Sequence, residues 1–175
     1  MLRALTFAAL LGVPAAAVAQ QPCTTDARFV VDQVYRTVLE RQPQRQAEAD
    51  YARRLSNGNM TVKAMVRELA TSPEYRQRFA ATGNAEVNQK TVAALYRHIL
   101  GRDADSGGLQ AYMDVLGKQG PDAVIDALLN SPEYQQNFGD YRVPGAARVE
   151  YCGSFGTSGR ITPDVRTLDT NSDTR

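Results

Sequence analysis

The chain has 175 residues and a formal net charge of +1, with 20 Lys/Arg against 19 Asp/Glu. That balance argues against the concentrated basic surface with which proteins meet phosphates, so no nucleic-acid partner is expected. A single histidine and two cysteines leave little from which to build a His/Cys metal centre or a Ser-His-Asp triad.

In chain order, residues 1–19 read first as a secretory signal peptide. Arg3 supplies a positive start, "ALTFAALLGVPAAAVA" an uncharged apolar run, and Ala17-Val18-Ala19 a small-x-small cleavage pattern. The run is short for a bilayer, and no later stretch replaces it, so no stable membrane span is expected after cleavage. This predicts export to the periplasm or the extracellular space. In an oxidising compartment Cys23 and Cys152 are then expected to form one disulfide. Closing so long a loop contributes roughly 4–5 kcal/mol in the chain-entropy account.

Beyond the leader the chain repeats itself. "VVDQVYRTVLER" (30–41) matches "TVAALYRHILGR" (91–102) at an offset of 61, and "TSPEYRQRF" (71–79) matches "NSPEYQQNF" (130–138) at 59. Tyr51 and Leu55 match Tyr112 and Leu116 at 61. Two related units, about 26–82 and 86–140, are predicted within one domain at 26–144. Each reads as helical. Val31, Val34, Tyr35, Val38 and Leu39 form one apolar stripe, repeated by Val92, Leu95, Tyr96, Ile99 and Leu100. Val62, Met65, Val66, Leu69 and Ala70 form another, echoed by Val124, Ile125, Leu128 and Leu129. Asn57-Gly58 is a helix stop, and Thr61 and Asn88 are expected N-caps. The predicted fold class is all-α: two tandem helical units packed as one compact bundle, with an irregular tail over 145–175.

The repeated Ser-Pro-Glu-Tyr reads as a corner. Proline disfavours helix in the residue before it but suits the first helical position. Ser72 and Ser131 are then caps, Glu74 and Glu133 complement the helix dipole, and Tyr75/Phe79 and Tyr134/Phe138 pair as aromatics. Arg41 and Arg102 stand at corresponding helix ends, where a cation offsets the dipole. They are candidate partner contacts, together with Tyr141 and Arg142.

The remaining candidate chemistry is thin. In "DADSGGLQAYMD" (103–114), Asp103, Asp105 and Asp114 fall at positions one, three and twelve of a calcium loop, with Gly108 sixth. Position five is Gly107, position twelve is a short aspartate, and the first unit lacks the pattern. A helix-loop-helix turn capped by Asp105 or Ser106 explains the stretch without metal. His98 reads as a helix-surface residue. "GSFGTSGR" (153–160) lacks the strand and helix that a phosphate loop needs. No cofactor and no enzymatic activity are expected.

The stretches "LSNGNMTVKAMVRELATSPEYRQRF" and "LYRHILGRDADSGGLQAYMDVLGKQGPDAVIDALLNSPEYQQNFGDYRVPG" resemble the phycobilisome linker domain family over about residues 29–145. "LYRHILGRDADSGGL" is also similar, more loosely, to a secreted bacterial repeat domain of unassigned function. The first resemblance implies a non-catalytic helical scaffold that holds antenna proteins together. Combined with the leader, the expectation is an exported scaffold or adaptor with protein partners. The alternatives are a true rod or core linker and a calcium-dependent envelope-binding protein. Residues 26–81 carry 10 basic against 7 acidic side chains, and residues 86–140 carry 4 against 8. That split motivates head-to-tail self-association between copies.

Overall fold

The first apolar stripe folds as the spacing predicts: helix α1 (Ala27–Val38) buries Val30, Val31, Val34, Tyr35 and Val38 on one face. Asp26 starts it by accepting the amides of Arg28 and Phe29. The structure, a computed structural model, describes residues 23–145 and 149–153. The expectations for residues 1–19 and for the tail beyond residue 153 lie outside the described residues.

Helix α2 (Arg45–Ser56) buries only Ala52 and Leu55 and lies against α1. It stops at Asn57-Gly58, where Gly58 takes a φ of 71°. Thr61 caps α3 (Val62–Ala70) as expected, its hydroxyl 3.0 Å from the Ala64 amide. After the corner, α4 (Pro73–Phe79) closes the first unit. The second unit starts with α5 (Ala85–Leu95), whose cap is Asn84 rather than Asn88. Asn88 lies one turn inside, and its side chain accepts the Gly83 amide instead. Helices α6 (Ser106–Gln119), α7 (Pro121–Leu129) and α8 (Pro132–Asn137) complete the repeat. Among the described residues the protein is all-α apart from two isolated bridges, Thr24 with Tyr151 and Arg142 with Glu150.

One element departs from the repeat. α5 runs directly into a π turn (Tyr96–Leu100), which ends at Gly101 with a φ of 67°. Its counterpart in the first unit, Glu40, takes a φ of 50° without the freedom of glycine. A Cβ at Gly101 would stand 2.6 Å from the Gly145 Cα, so glycine is required where the returning chain crosses. His98 lies within this turn and is only 6% exposed, packed against Tyr75 and Phe79, which corrects the expected surface position.

The units share one core. α1 packs on α3 and α5 on α7, while α3 meets α7 and α1 meets the π turn across the units. The two corners are near copies. Ser72 and Ser131 each accept a tyrosine amide at 3.1 Å, and each Tyr–Phe pair has ring centroids 5.2 Å apart. Outside the helices, Cys23 and Cys152 form a disulfide with Cα atoms 5.5 Å apart. After Gly139 the chain packs back on the body, with Val143 and Tyr151 buried in the core.

The corner tyrosines, both 0% exposed, differ in one atom's environment. Tyr75 Oη lies 2.9 Å from His98 Nδ1, whereas the buried Tyr134 Oη has no hydrogen-bond partner among the described residues. Tyr75→Phe is therefore expected to cost about 1 kcal/mol and Tyr134→Phe to stay within about 0.5 kcal/mol of the parent. Urea unfolding of both variants checks this; equal losses would contradict it.

Candidate functional site

The expected contact arginines sit in a duplicated constellation built by three elements of each unit. The α1–α2 loop brings Arg41 to the first turn of α4, where Nε and Nη2 each lie 2.6 Å from a Glu74 oxygen. The guanidinium covers the Tyr35 ring at 5.3 Å, and Tyr35 meets Tyr51 of α2 edge to face at 5.9 Å. In the second unit Arg102 grips Glu133 through Nε and Nη2, the latter at 2.8 Å. It covers Tyr96 at 5.1 Å, and Tyr96 meets Tyr112 at 5.6 Å. These arginines thus do more than offset a helix dipole. They fasten a loop to a proline corner by a two-pronged, charge-assisted contact.

Electrostatics follows the geometry. Hydrogen bonding from Arg41 holds the Glu74 carboxyl below its usual range, and Arg102 does the same to Glu133. Burial pushes the tyrosines up: Tyr35, Tyr51, Tyr96 and Tyr112 all titrate above the ordinary phenol. The first unit adds Glu68, which takes the Tyr51 hydroxyl at 3.2 Å and Arg54 at 3.0 Å. The second has Ala127 at the matching position and no such extension there.

Two ion pairs of opposite charge cross the seam between the units. Arg67 of α3 binds Asp126 of α7 at 2.7 and 3.0 Å, and these two positions are equivalents in the repeat. Arg76 reaches Asp122 at 2.6 Å, and Lys63 reaches Asn130 at 3.1 Å. Basic first unit and acidic second unit therefore meet inside one chain. A groove of about 280 Å³ runs along this seam past Lys63, Arg67, Asp126 and Leu129.

The other sequence candidates separate. Asp103 faces Arg97 at 3.1 Å, while Asp105 caps α6 through the Gly108 amide at 2.8 Å and also meets Arg102. Asp114 lies well inside α6. No cluster of three potential ligands forms among the described residues. Arg142 bonds the Asn137 carbonyl and Glu150, and Tyr141 is half-buried, its carbonyl taken by the Tyr151 amide. Sequence reasoning passed over two features. Phe29, 45% exposed at the start of α1, is the one large hydrophobic side chain that stands in solvent among the described residues. The linked group Tyr75, His98 and Glu40 joins the two units, with His98 Nε2 3.3 Å from Glu40 Oε1. Phe29 was legible as the apolar residue outside the α1 stripe; the linked group left no local signal.

Comparison with known proteins adds the following. The family model described as "Phycobilisome Linker polypeptide" matches residues 23–147. The chain is 34% identical over 119 residues to phycobiliprotein ApcE of Microchaete diplosiphon, covering 66% of the chain and 11% of that protein. It is 35% identical over 125 residues to ApcE of a Synechococcus strain, covering 69% and 17%. A phycocyanin-associated rod linker polypeptide of 32.1 kDa from Mastigocladus laminosus is 36% identical over 91 residues, covering 51% and 31%. The chain thus spans from about a tenth to about a third of these curated relatives. The matches overturn the expected export to periplasm or extracellular space. Phycobilisome linkers and ApcE belong to complexes attached to the thylakoid on its cytoplasmic side. No helix among the described residues is long and apolar enough to cross a membrane.

The shifts fix a pH dependence. Burial lowers His98, and arginine hydrogen bonds lower Glu74, Glu133 and Asp126. Each folded value lies below the unfolded one, so each contribution is present above the ordinary pKa and is lost as pH falls through the folded value. Melting temperature is expected to decline from about pH 6.5 downward, and more steeply below about pH 4.5. In His98→Gln the decline should begin only in the carboxylate range. A parent protein that melts higher at pH 5 than at pH 7 would refute the assignment.

Proposed function

The chain belongs to the phycobilisome linker polypeptide family, and from that premise we propose that it is a non-catalytic assembly module that joins phycobilisome proteins by direct contact. The observation that carries this reading is the reach of the family match, which takes in the whole helical body from residue 23 to residue 147. The construction supports it. Loops and corners are fastened by internal ion pairs, which gives a rigid body with a preformed surface. Such a body docks without the ordering cost that a flexible segment bears.

The partner in this reading is a different protein rather than a second copy. The opposite charges that suggested head-to-tail pairing already meet at Arg67–Asp126 and Arg76–Asp122 within one chain. Phycobiliproteins are the class named by the relatives, one of which is phycocyanin-associated. Phe29, with the exposed Arg28 beside it, is the contact residue of choice, because an exposed aromatic anchor dominates binding where a partner pocket covers it.

Sedimentation of residues 23–175 with purified phycocyanin tests the reading, as does the same experiment with intact phycobilisome cores. Co-sedimentation is expected with at least one of them, and Phe29→Ala is expected to weaken it by about tenfold or more. The reading fails if neither complex retains the chain at micromolar concentration.

A further inference from the structure

We infer that the Cys23–Cys152 disulfide is a thiol–disulfide exchange site, at which a dithiol reductant releases Val149–Gly153 from the domain while the helices stay folded.

The bond clamps only the margin of the domain. Cys23 is exposed and stands before the first helix, whose cap, Asp26, makes its own bonds to α1. Apart from the disulfide, Val149–Gly153 is held by few contacts. Glu150 accepts the Thr24 amide at 2.8 Å, and Thr24 in turn accepts the Cys152 amide at 3.0 Å. The Tyr151 amide reaches the Tyr141 carbonyl at 2.9 Å, and the Val143 amide reaches the Val149 carbonyl at 2.8 Å. The Arg142–Glu150 pair is half-exposed, and Tyr151, 3% exposed, and the partly buried Val149 are the apolar anchors, packed on the core. The hydrogen bonds and the ion pair run to Thr24 and to residues 141–143, outside the helices.

The step is balanced by an external dithiol. Its thiolate attacks the exposed Cys23 Sγ, the Sγ–Sγ bond breaks, and Cys152 leaves as a thiolate that takes up a proton. The second thiol of the reductant, as thiolate, then closes on its own mixed-disulfide sulfur and expels the Cys23 thiolate, which is protonated. Two electrons pass to the protein and the dithiol becomes a disulfide. The cytoplasmic side of the thylakoid, where thiols are kept reduced, supplies this class of reductant; that setting rests on the proposed function, but the geometry does not. Release frees the backbone groups of Thr24, Tyr141 and Val143 and vacates the seat of Tyr151.

The test uses the full chain alone, without any phycobiliprotein, so its outcome is independent of whether the chain binds one. Residue-resolved amide exchange is recorded before and after millimolar dithiothreitol. Reduction should add two hydrogens to the mass and speed exchange at Thr24, Val143, Tyr151 and Cys152 by about tenfold or more, while the far-UV circular dichroism stays helical and Met65, Val66, Val124 and Ile125 stay protected relative to the unfolded chain. The Cys23→Ser/Cys152→Ser chain should behave as the reduced parent. The inference is overturned by a bond that resists dithiothreitol in the folded chain, by amides of Thr24, Val143, Tyr151 and Cys152 that stay protected after reduction, or by a loss of helical circular dichroism on reduction.

Discussion

Each unit turns on a single corner, the place where a serine, a proline, a glutamate and a tyrosine meet an arginine from an earlier loop. Proline stops the preceding helix and fixes the start of the next; serine caps it; tyrosine sinks into the core. Glutamate then takes the arginine that follows the unit's first helix by a two-pronged bond. Three segments far apart in sequence are positioned by residues within one helical turn. Because the arginine also covers a tyrosine that packs edge to face on a second one, the corner orients the unit's second helix as well. Individually such half-exposed ion pairs contribute little stability. Their effect is directional, and the packing of the whole unit follows from it.

What the chain shows locally was readable from its residues; what depends on the partner unit was not. The stripes of α1, α3, α5 and α7, the caps Ser72, Ser131 and Thr61, and the aromatic pairs all obey spacings within a few residues, so periodicity exposes them. Even the partner of Cys23 was legible, since only one other cysteine exists. His98 failed because its burial depends on a π turn and on Tyr75 from the other unit, neither of which leaves a mark in the flanking residues. Asn84 and Asn88 are equally good caps on composition, and the choice between them is made by where the loop from the first unit delivers the chain. The seam was half legible. The opposite charges of the units were plain, but whether they meet within one molecule or between two is a question of packing. The N-terminal run misled in another way: hydropathy describes how a segment partitions, whereas the family match reads the folded body and overrides the destination inferred from it.

Duplication here has produced complementarity rather than redundancy. Equivalent positions carry Arg67 and Asp126, so the repeat axis itself is bridged by opposite charges. Tyr75 and Tyr134 occupy the same corner, yet only the first has His98 within reach and a link to Glu40. Two identical units would repel along the seam. Divergence of a few side chains turned a duplicated sequence into a pair that binds itself, and the surface left for other proteins is what the seam does not use.

The disulfide lies where residue 24 runs beside residue 151, so the polypeptide enters and leaves the folded body at the same place. Seen from a longer chain, such a body is a closed side-loop: it can be set into a host sequence without lengthening the host's path or turning its direction. In two of the relatives the matched region is only 11% and 17% of the polypeptide. A domain whose two ends meet asks nothing of the direction in which its neighbours in sequence run, so the same geometry suits a short chain or a long one.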